Sequence, residues 1–139
     1  METLATVKQE QNIAIVQYAF ADFLKGNISG ILDACTNDVT WSSFDNPAIP
    51  YVTSYQGKEG VAGFFGSLAG SIDYADFQTN EFFTDSDRVF VKGYHKATVK
   101  STGKTFDHDF LMEFRLRDGK ISSFFAYVDT RDQAAAFTN

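Results

Sequence analysis

Two histidines, His95 and His108, are the residues of this chain best suited to acid–base chemistry. The ordinary pKa of an imidazole lies near 6.5, so a histidine both accepts and donates protons close to neutral pH. Each histidine lies in a long run of alternating apolar and polar residues, and the alternation places it on the apolar side. Two imidazoles facing one apolar pocket predict a site that moves protons on a small molecule. For either histidine alone, the alternative is a structural role at the edge of the core.

The two alternating runs predict neighbouring strands joined by a two-residue turn at 102–103. This turn places His108 opposite Ala97 and Phe110 opposite His95. The histidines are then diagonal neighbours whose backbones lie roughly 7–8 Å apart. Their side chains can close much of that gap, so the sequence predicts one shared site.

The rest of the chain predicts helices first and strands afterwards. The predicted elements, in chain order, are helices at about 6–25 and 28–34, a strand at 38–44, an irregular loop at 45–57, a helix at 58–72, strands at 73–84, 88–100, 104–117 and 120–130, and a helical turn at 132–137. This order predicts an α+β domain in which a curved antiparallel sheet wraps the long N-terminal helix and encloses a hydrophobic pocket.

The inward face of the last strand depends on the turn before it. A two-residue turn at 118–119 points Tyr127 and Asp129 into the pocket. A three-residue turn at 117–119 with a glycine bulge shifts the alternation by one residue. With the three-residue turn, the inward-facing residues are Phe124, Ala126 and Val128. The residues leave both possibilities open.

Composition excludes several classes of partner. The 139 residues predict a single domain over 1–139, and the net charge of -6 comes without any run of Lys or Arg. An acidic chain of this kind is a poor partner for nucleic acid or an anionic membrane. The polar N-terminus and the absence of 18 consecutive apolar residues predict a cytoplasmic protein.

Cofactor signatures are also missing. Cys35 is the single cysteine, which excludes an internal disulfide and a zinc site built from several cysteines. The two histidines and the scattered carboxylates show no metal-ligand spacing, and no glycine-rich loop is placed to bind a nucleotide phosphate. The sequence therefore predicts neither a metal nor an organic cofactor.

Several short motifs resemble the SnoaL-like branch of the nuclear transport factor 2-like superfamily, and the resemblance covers essentially the whole chain. They are Gly57-Lys58-Glu59-Gly60-Val61-Ala62-Gly63-Phe64-Phe65, Ser101-Thr102-Gly103-Lys104, and the turn Asp118-Gly119-Lys120-Ile121 followed by Tyr127-x-Asp129. The resemblance implies a cone-shaped α+β barrel around a hydrophobic pocket, and frequent dimers.

Members of this superfamily catalyse different reactions, so the catalytic residues of each enzyme must be compared one by one with the matching positions of this chain. Limonene epoxide hydrolase is similar over the last strands, but its three catalytic groups fall on Gly93, His95 and Ala126; this alignment also favours Ala126 as inward-facing. Ketosteroid isomerase is similar over residues 26–38, and its general base falls on Ser43. Asp45, two residues later, is the only nearby substitute base.

Scytalone dehydratase gives a better match. The run Gly93-Tyr94-His95 resembles the strand that carries one of its two catalytic histidines, and the second falls at or beside His108. Trp41 takes the place of a water-holding tyrosine, whereas a catalytic aspartate of that enzyme corresponds to Leu24. The resemblance implies dehydration, isomerisation or cyclisation by histidine acid–base chemistry, without choosing among them.

These arguments predict a pocket that binds a small, mostly apolar molecule of polyketide, steroid or terpenoid type. The predicted catalytic residues are His95 and His108, with Asp45 as a substitute base, and the predicted lining is Trp41, Ser43, Tyr51, Tyr55, Phe64, Leu68, Phe110, Met112 and Ala126. The alternative is a non-catalytic module that binds a hydrophobic ligand or only dimerises.

The outer face of the predicted sheet carries apolar residues among charged ones. Phe90, Tyr94 and Leu111 interrupt these charged positions. Isolated apolar groups of this kind indicate a covered patch. The sequence therefore predicts a homodimer that forms through the sheet.

Overall fold

The computed structural model describes residues 3–139. The helices are α1 (Leu4–Lys25), α2 (Ile28–Asp33), α3 (Gly57–Ser71) and α4 (Thr130–Phe137), and the strands are β1 (Cys35–Ser43), β2 (Tyr55–Gln56), β3 (Ile72–Asp85), β4 (Arg88–Val99), β5 (Thr105–Arg117) and β6 (Lys120–Tyr127). Within this range, no helix is long and apolar enough to cross a membrane. The predicted α+β class is confirmed.

The strands form one curved, unclosed sheet in the order β2-β1-β6-β5-β4-β3. Strands β3 to β6 pair antiparallel in sequence order, as a meander. Strand β1 instead pairs parallel with β6, so the sheet is mixed rather than wholly antiparallel as predicted. The long path through the other strands separates β1 from β6 in sequence and allows them to run in the same direction.

Helix α1 covers the concave side of the sheet. Its first turn is capped by the Thr3 hydroxyl, which accepts a hydrogen bond from the Thr6 backbone N–H at 3.1 Å. Its last turn ends at Gly26, whose φ of 74° favours glycine. Between these ends, Phe20 is buried against the sheet, with its ring centroid 5.6 Å from that of Phe114 on β5. Burial of this aromatic face fixes the helix on the sheet.

The turn between β4 and β5 is longer than predicted. Val99 is the last residue of β4, and its backbone N–H donates to the carbonyl of Lys104 at 2.8 Å across a four-residue loop. The strands therefore pair with His95 directly opposite His108, not with the two histidines diagonal to each other. The change of register brings the two imidazoles closer than the sequence predicts.

A bulge decides the inward face of β6. The turn has two residues, Asp118 and Gly119, with φ values of 52° and 77°. A register shift follows between Arg115 and Leu116 of the partner strand, leaving Ser122 of β6 without a partner in the ladder. The bulge reverses the alternation, and Phe124 and Ala126 are buried. The turn thus has the two predicted residues 118–119. The inward-facing residues are nevertheless those predicted for the three-residue turn.

Helix α4 replaces the end of the predicted last strand. Strand β6 stops at Tyr127, and Asp129 caps the helix by accepting a hydrogen bond from the backbone N–H of Asp132 at 2.9 Å. The sequence predicts a helical turn only from residue 132 onward. The earlier start matters because the first turn of α4 packs on β5 beside His108.

Candidate functional site

His95 lies on the concave face of β4 and is 2% exposed. Aromatic rings surround it, with centroids 5.5 Å away at Phe106, 5.1 Å at Phe110 and 5.8 Å at Tyr74. Burial, together with the neighbouring His108, lowers the pKa of His95 from 6.5 to about 3. The ring is therefore neutral at pH 7, with one nitrogen free to accept a proton.

His108 contacts His95 directly across the sheet. Their Nε2 atoms are 2.9 Å apart, which is hydrogen-bond distance, and their rings meet nearly edge to face with an interplanar angle of 74°. Direct pairing across the β4–β5 ladder causes this contact, because opposite residues have neighbouring Cβ atoms. The two histidines therefore form one hydrogen-bonded pair.

Helix α4 supplies two partners for His108. Asp132 places Oδ2 2.8 Å from Nδ1 of His108. The next residue, Gln133, is 2% exposed and places its amide Nε2 3.4 Å from Nε2 of His108. Both ring nitrogens of His108 thus have polar neighbours from the helix.

A further hydrogen bond connects Gln133 to the loop between β1 and β2. The Tyr51 hydroxyl donates to Oε1 of Gln133 at 2.7 Å. Burial raises the pKa of Tyr51, so the phenol keeps its proton and remains a donor. One connected network therefore runs from Tyr51 through Gln133 and His108 to His95 and Asp132.

Two adjoining cavities lie between the sheet and the helices. Their volumes are about 60 and 50 Å³, enough for a few water-sized groups each. Six residues line both: Trp41, Phe64, Leu68, Tyr74, Met112 and Phe124. The second cavity also touches His95, Tyr51, Ser43, Ala126 and Gln133. A larger ligand requires some of the aromatic side chains to move.

Two residues that line the second cavity each carry a buried polar atom with no hydrogen-bond partner among residues 3–139. The atoms are Nδ1 of His95 and Nε1 of Trp41. The Trp41 indole is held in place by stacking on Phe124, with ring centroids 4.2 Å apart. Buried polar groups in folded proteins are nearly always paired, so this donor and acceptor are candidates to bind a ligand.

The remaining predicted site residues fall into three groups: two line the second cavity, two pack outside both cavities and one is exposed. Ser43 and Ala126 line the second cavity, and the Ser43 hydroxyl donates to the Ala126 carbonyl at 2.7 Å. Phe110 is buried beneath His95 as part of the core, and Tyr55 packs on Phe64 with its hydroxyl donating to the Tyr51 carbonyl at 3.2 Å. Asp45 is exposed just after β1.

Sequence reasoning does not identify Asp132 and Gln133 as site residues. The signal that could have found them is Asp129, which stands three residues before Asp132 as an N-cap does. A helix starting there places residues 132 and 133 in its first turn. Nothing in the sequence says that this turn packs against His108.

The described part of the chain, residues 3–139, contains no group of three or more His, Cys, Asp or Glu side chains arranged to hold a metal ion. The carboxylate beside His108 is a single one, Asp132. The side chains at the site can transfer protons and donate or accept hydrogen bonds.

A family model described as a SnoaL-like domain matches residues 16–124. None of the curated proteins matches the chain. Among solved structures, an NTF2-like protein from Burkholderia xenovorans LB400 is 26% identical, with a TM-score of 0.86 over 94% of this chain and 98% of that chain.

Two further solved structures share the fold at lower identity. TerC, co-crystallised with polyporic acid, is 24% identical with a TM-score of 0.79 over 91% of this chain and 98% of its own. A protein with a ketosteroid isomerase-like fold from Catenulispora acidiphila, in complex with trimethylamine, is 16% identical with a TM-score of 0.71 over 85% and 87%.

Proposed function

The chain belongs to the SnoaL-like domain family, and from this premise we propose that it binds a small, mostly apolar molecule in the paired cavities and moves a proton on it by histidine acid–base chemistry. The observation that carries the proposal is the 2.9 Å contact between Nε2 of His95, which lines the second cavity, and Nε2 of His108, which lines neither of the two cavities. A fold of this kind hosts many reactions, so the site and not the fold carries the argument.

In the proposed step, His95 is the general base. Its Nδ1 accepts a proton from a carbon next to a carbonyl group of the ligand, and the electron pair of the broken C–H bond forms an enolate. Trp41 Nε1, which has no partner among the described residues, donates a hydrogen bond to the enolate oxygen. No metal or organic cofactor takes part.

The proton has two possible fates. In a dehydration, a hydroxyl group on the adjacent carbon leaves with its bonding electrons and takes the proton as water, which returns the histidine pair to its starting protonation. In an isomerisation, the proton returns to a different carbon of the same molecule. The site supports both because one group accepts the proton and gives it back.

The lining favours polyketide-, steroid- or terpenoid-like ligands. It consists mainly of aromatic and aliphatic side chains with a few polar atoms, which is the composition of sites for small apolar molecules. The co-crystallisation of TerC with polyporic acid supports an organic ligand in a fold of this kind. Asp45, being exposed, has no role in this proposal.

Turnover of a panel of polycyclic ketones and hydroxyketones tests the proposal. We expect His95→Ala and His108→Ala to lower turnover by about 10²–10⁴-fold, the usual effect of losing a general acid or base. Lys96→Ala is the matched control, since Lys96 is next to His95 on the exposed face of β4. Equal turnover in wild type and both histidine variants would overturn the catalytic proposal.

A non-catalytic binding module is the second candidate, favoured by the unpaired donor and acceptor on the lining. Extraction of the purified protein, followed by mass spectrometry, tests it. A stoichiometric apolar molecule recovered from wild type, together with no turnover of any panel compound, supports binding without catalysis. Recovery of none, together with turnover, supports the enzyme.

We also propose a homodimer through the outer face of the sheet. On this face Phe44 and Tyr127 are 50% and 40% exposed, and both pack on Phe125 with ring centroids 5.1 and 4.7 Å away. Leu111 pairs directly with Tyr127 across the ladder and extends the patch. A contiguous apolar patch on a sheet face favours association with a second copy.

A further inference from the structure

We propose that Asp132 and Gln133 are positioning residues which fix the protons on the histidine pair, so that Nδ1 of His95 is a proton acceptor and a proton taken from the ligand is passed on toward Asp132. This inference rests on the proposed function, because it explains how His95 acts as a base in a dry cavity. It adds to that function the residues that fix the proton position on His95, and the class of ligand from which His95 can accept a proton.

Asp132 fixes the hydrogen on one ring nitrogen of His108. A carboxylate oxygen accepts hydrogen bonds and does not donate them, so Nδ1 of His108, 2.8 Å from Oδ2, carries the hydrogen. A neutral imidazole has one N–H and one bare nitrogen. If His108 is neutral, its Nε2 is therefore bare.

Gln133 places a donor beside the second nitrogen of His108. The Oε1 of Gln133 accepts from the Tyr51 hydroxyl, so its amide nitrogen is the atom that faces Nε2 of His108 at 3.4 Å. An amide N–H₂ group is a donor, and a bare Nε2 can accept from it. A doubly protonated His108 would instead place an N–H against this N–H₂ group. A bare Nε2 on His108 therefore gives the Gln133 amide an acceptor.

The proton position on His95 follows. Because Nε2 of His108 is an acceptor, the 2.9 Å contact requires Nε2 of His95 to carry the hydrogen. Neutral His95 then has a bare Nδ1, which is also the buried atom without a partner. Since the His95 ring lines the second cavity, the polar group offered to a ligand there is a proton acceptor.

The same connections give the proton a path. When Nδ1 of His95 accepts a proton from the ligand, the hydrogen on its Nε2 moves to Nε2 of His108. His95 is neutral again, now protonated at Nδ1, and the positive charge rests on His108 beside the Asp132 carboxylate. A cation on buried His95 is unfavourable, whereas His108 pairs with a carboxylate that is 38% exposed. The transfer keeps charge out of the dry cavity.

The other polar groups around the pair do not supply a competing charge. Tyr74 on β3 faces His95, and burial raises the pKa of its phenol, which stays neutral. Asp132 on α4 is the charged group in contact with His108. Among the described residues packed on the pair, Asp132 is thus the group that stabilises positive charge, and it does so on His108 and not on His95.

This arrangement selects a class of ligand. A ligand must present an acidic C–H or O–H group to Nδ1 of His95, as an enolisable ketone or a hydroxyketone does, and an oxygen to the Trp41 N–H. A carboxylate or phosphate, which only accepts hydrogen bonds, would face a bare nitrogen. The proposal therefore predicts neutral carbonyl compounds over organic anions.

Nitrogen NMR of the isotope-labelled protein tests the proton positions without any substrate, because bare and protonated imidazole nitrogens have distinct shifts. At pH 7 we expect His108 protonated at Nδ1 and His95 protonated at Nε2, each with its other nitrogen bare. A wild-type His95 protonated at Nδ1 would overturn the inference, whatever the activity of the protein.

Gln133→Glu is the sharpest variant, since it exchanges the donor that faces His108 for an acceptor of the same shape. His108 then lies between two carboxylates, and we expect it to become doubly protonated and the His95 hydrogen to move from Nε2 to Nδ1. A glutamate near the start of α4 is also compatible with the helix. Unchanged proton positions would show that Gln133 has no positioning role. Gln17→Glu, on the exposed side of α1, is the control.

Asp132→Leu removes the acceptor at Nδ1 of His108, and we expect mixed tautomers on both rings. Asp109→Leu is the matched control, because Asp109 lies on the opposite face of β5 from His108. A single unchanged tautomer in Asp132→Leu would remove Asp132 from the proposal. Amide spectra of each variant report whether it folds.

Activity separates this inference from the proposed function. If the tautomers are as stated but His95→Ala leaves turnover unchanged, the proposed function fails and the positioning network stands. If His95→Ala abolishes turnover while Gln133→Glu and Asp132→Leu leave the pH profile of turnover unaltered, the proposed function stands and the positioning roles are wrong.

Discussion

The hydroxyl of Tyr51, in the loop between β1 and β2, donates a 2.7 Å hydrogen bond to the side-chain oxygen of Gln133 in α4. Both residues are buried, and 82 positions separate them in sequence. The bond holds the loop against the C-terminal helix at the edge of the second cavity. It also orients the Gln133 amide, whose nitrogen faces His108.

Tyr51→Phe should lower the free energy of unfolding by about 1–3 kcal/mol, because it leaves a buried amide oxygen without its donor. Urea unfolding measures the change. Tyr55→Phe is the matched control: the Tyr55 hydroxyl is only partly buried and donates over 3.2 Å to a backbone carbonyl. An equal loss of stability in both variants would show that the Tyr51–Gln133 hydrogen bond contributes no more to the free energy of unfolding than the Tyr55 hydrogen bond does.

Stability should depend on pH through His95. Its pKa is about 3 in the folded protein and about 6.5 in the unfolded chain, so between these values the unfolded state binds more protons. The free energy of unfolding therefore falls as the pH falls from 6.5 toward 3, by up to about 1.4 kcal/mol for each pH unit from this group.

Urea unfolding of wild type and His95→Gln at pH 7 and pH 5 isolates this contribution, since the carboxylates titrate in both proteins. The wild type should lose more stability than the variant over this interval. Parallel losses would mean that His95 is not buried in its neutral form.

Gly93→Ala should destabilise the protein by about 3 kcal/mol. A Cβ at this position would lie 2.0 Å from the Gln78 carbonyl oxygen and 2.4 Å from Cζ of Phe110, so β3 and the ring beneath His95 would both have to move. Thermal unfolding measures the change.

Gly66→Ala is the control for the loss of a glycine. Gly66 lies in α3 with nothing within 4 Å of the added Cβ, so alanine should stabilise the helix by about 1 kcal/mol. Opposite signs for the two variants are expected, and a stabilising Gly93→Ala would contradict the close packing of β3 on β4.

Turnover should persist after exhaustive treatment with a chelator and in nucleotide-free buffer, because the proposed step uses only His95, His108 and Trp41. The measurement compares rates before and after chelation for any panel compound that reacts. Activity that is lost to the chelator and restored by zinc would identify the histidines as metal ligands and not as acid and base.

Sedimentation equilibrium at tens of micromolar should show a dimer. Leu111→Lys and Tyr127→Lys, which place charges in the apolar patch, should shift the protein toward monomer, whereas Lys92→Glu beside the patch should change the balance less. A single 15.5 kDa species for the wild type would exclude a stable dimer at that concentration.

Much of the fold follows from local sequence patterns. Period-two alternation places His95 and His108 on the apolar face of their strands, because successive side chains of a strand point to opposite sides. Helical spacing and Gly26 predict the course of α1 to within two residues of its start and to its last residue. Such features depend on residues close together in the chain, which is why the sequence reveals them.

Register depends on features that the local pattern does not contain. The sequence places His95 diagonal to His108, whereas the four-residue loop after Val99 places them opposite each other. Likewise, the bulge at Ser122, and not the length of the turn before it, points Phe124 and Ala126 inward. Both outcomes depend on how whole strands pack, since a shift of one residue exchanges the buried and exposed faces.

The sequence by itself determined the fold class and the choice of His95 and His108 as the acid–base candidates, because residue type and short-range periodicity carry that information. Only the tertiary structure decided that their Nε2 atoms meet at 2.9 Å and that Asp132 and Gln133 approach His108 from α4. The cause is that Asp132 lies 24 residues beyond His108 in sequence, and the position of α4 is fixed by burial of Gln133 and Ala136 against the sheet and by the bond to Tyr51. Contacts of that range depend on the packed chain as a whole, and no local pattern encodes them.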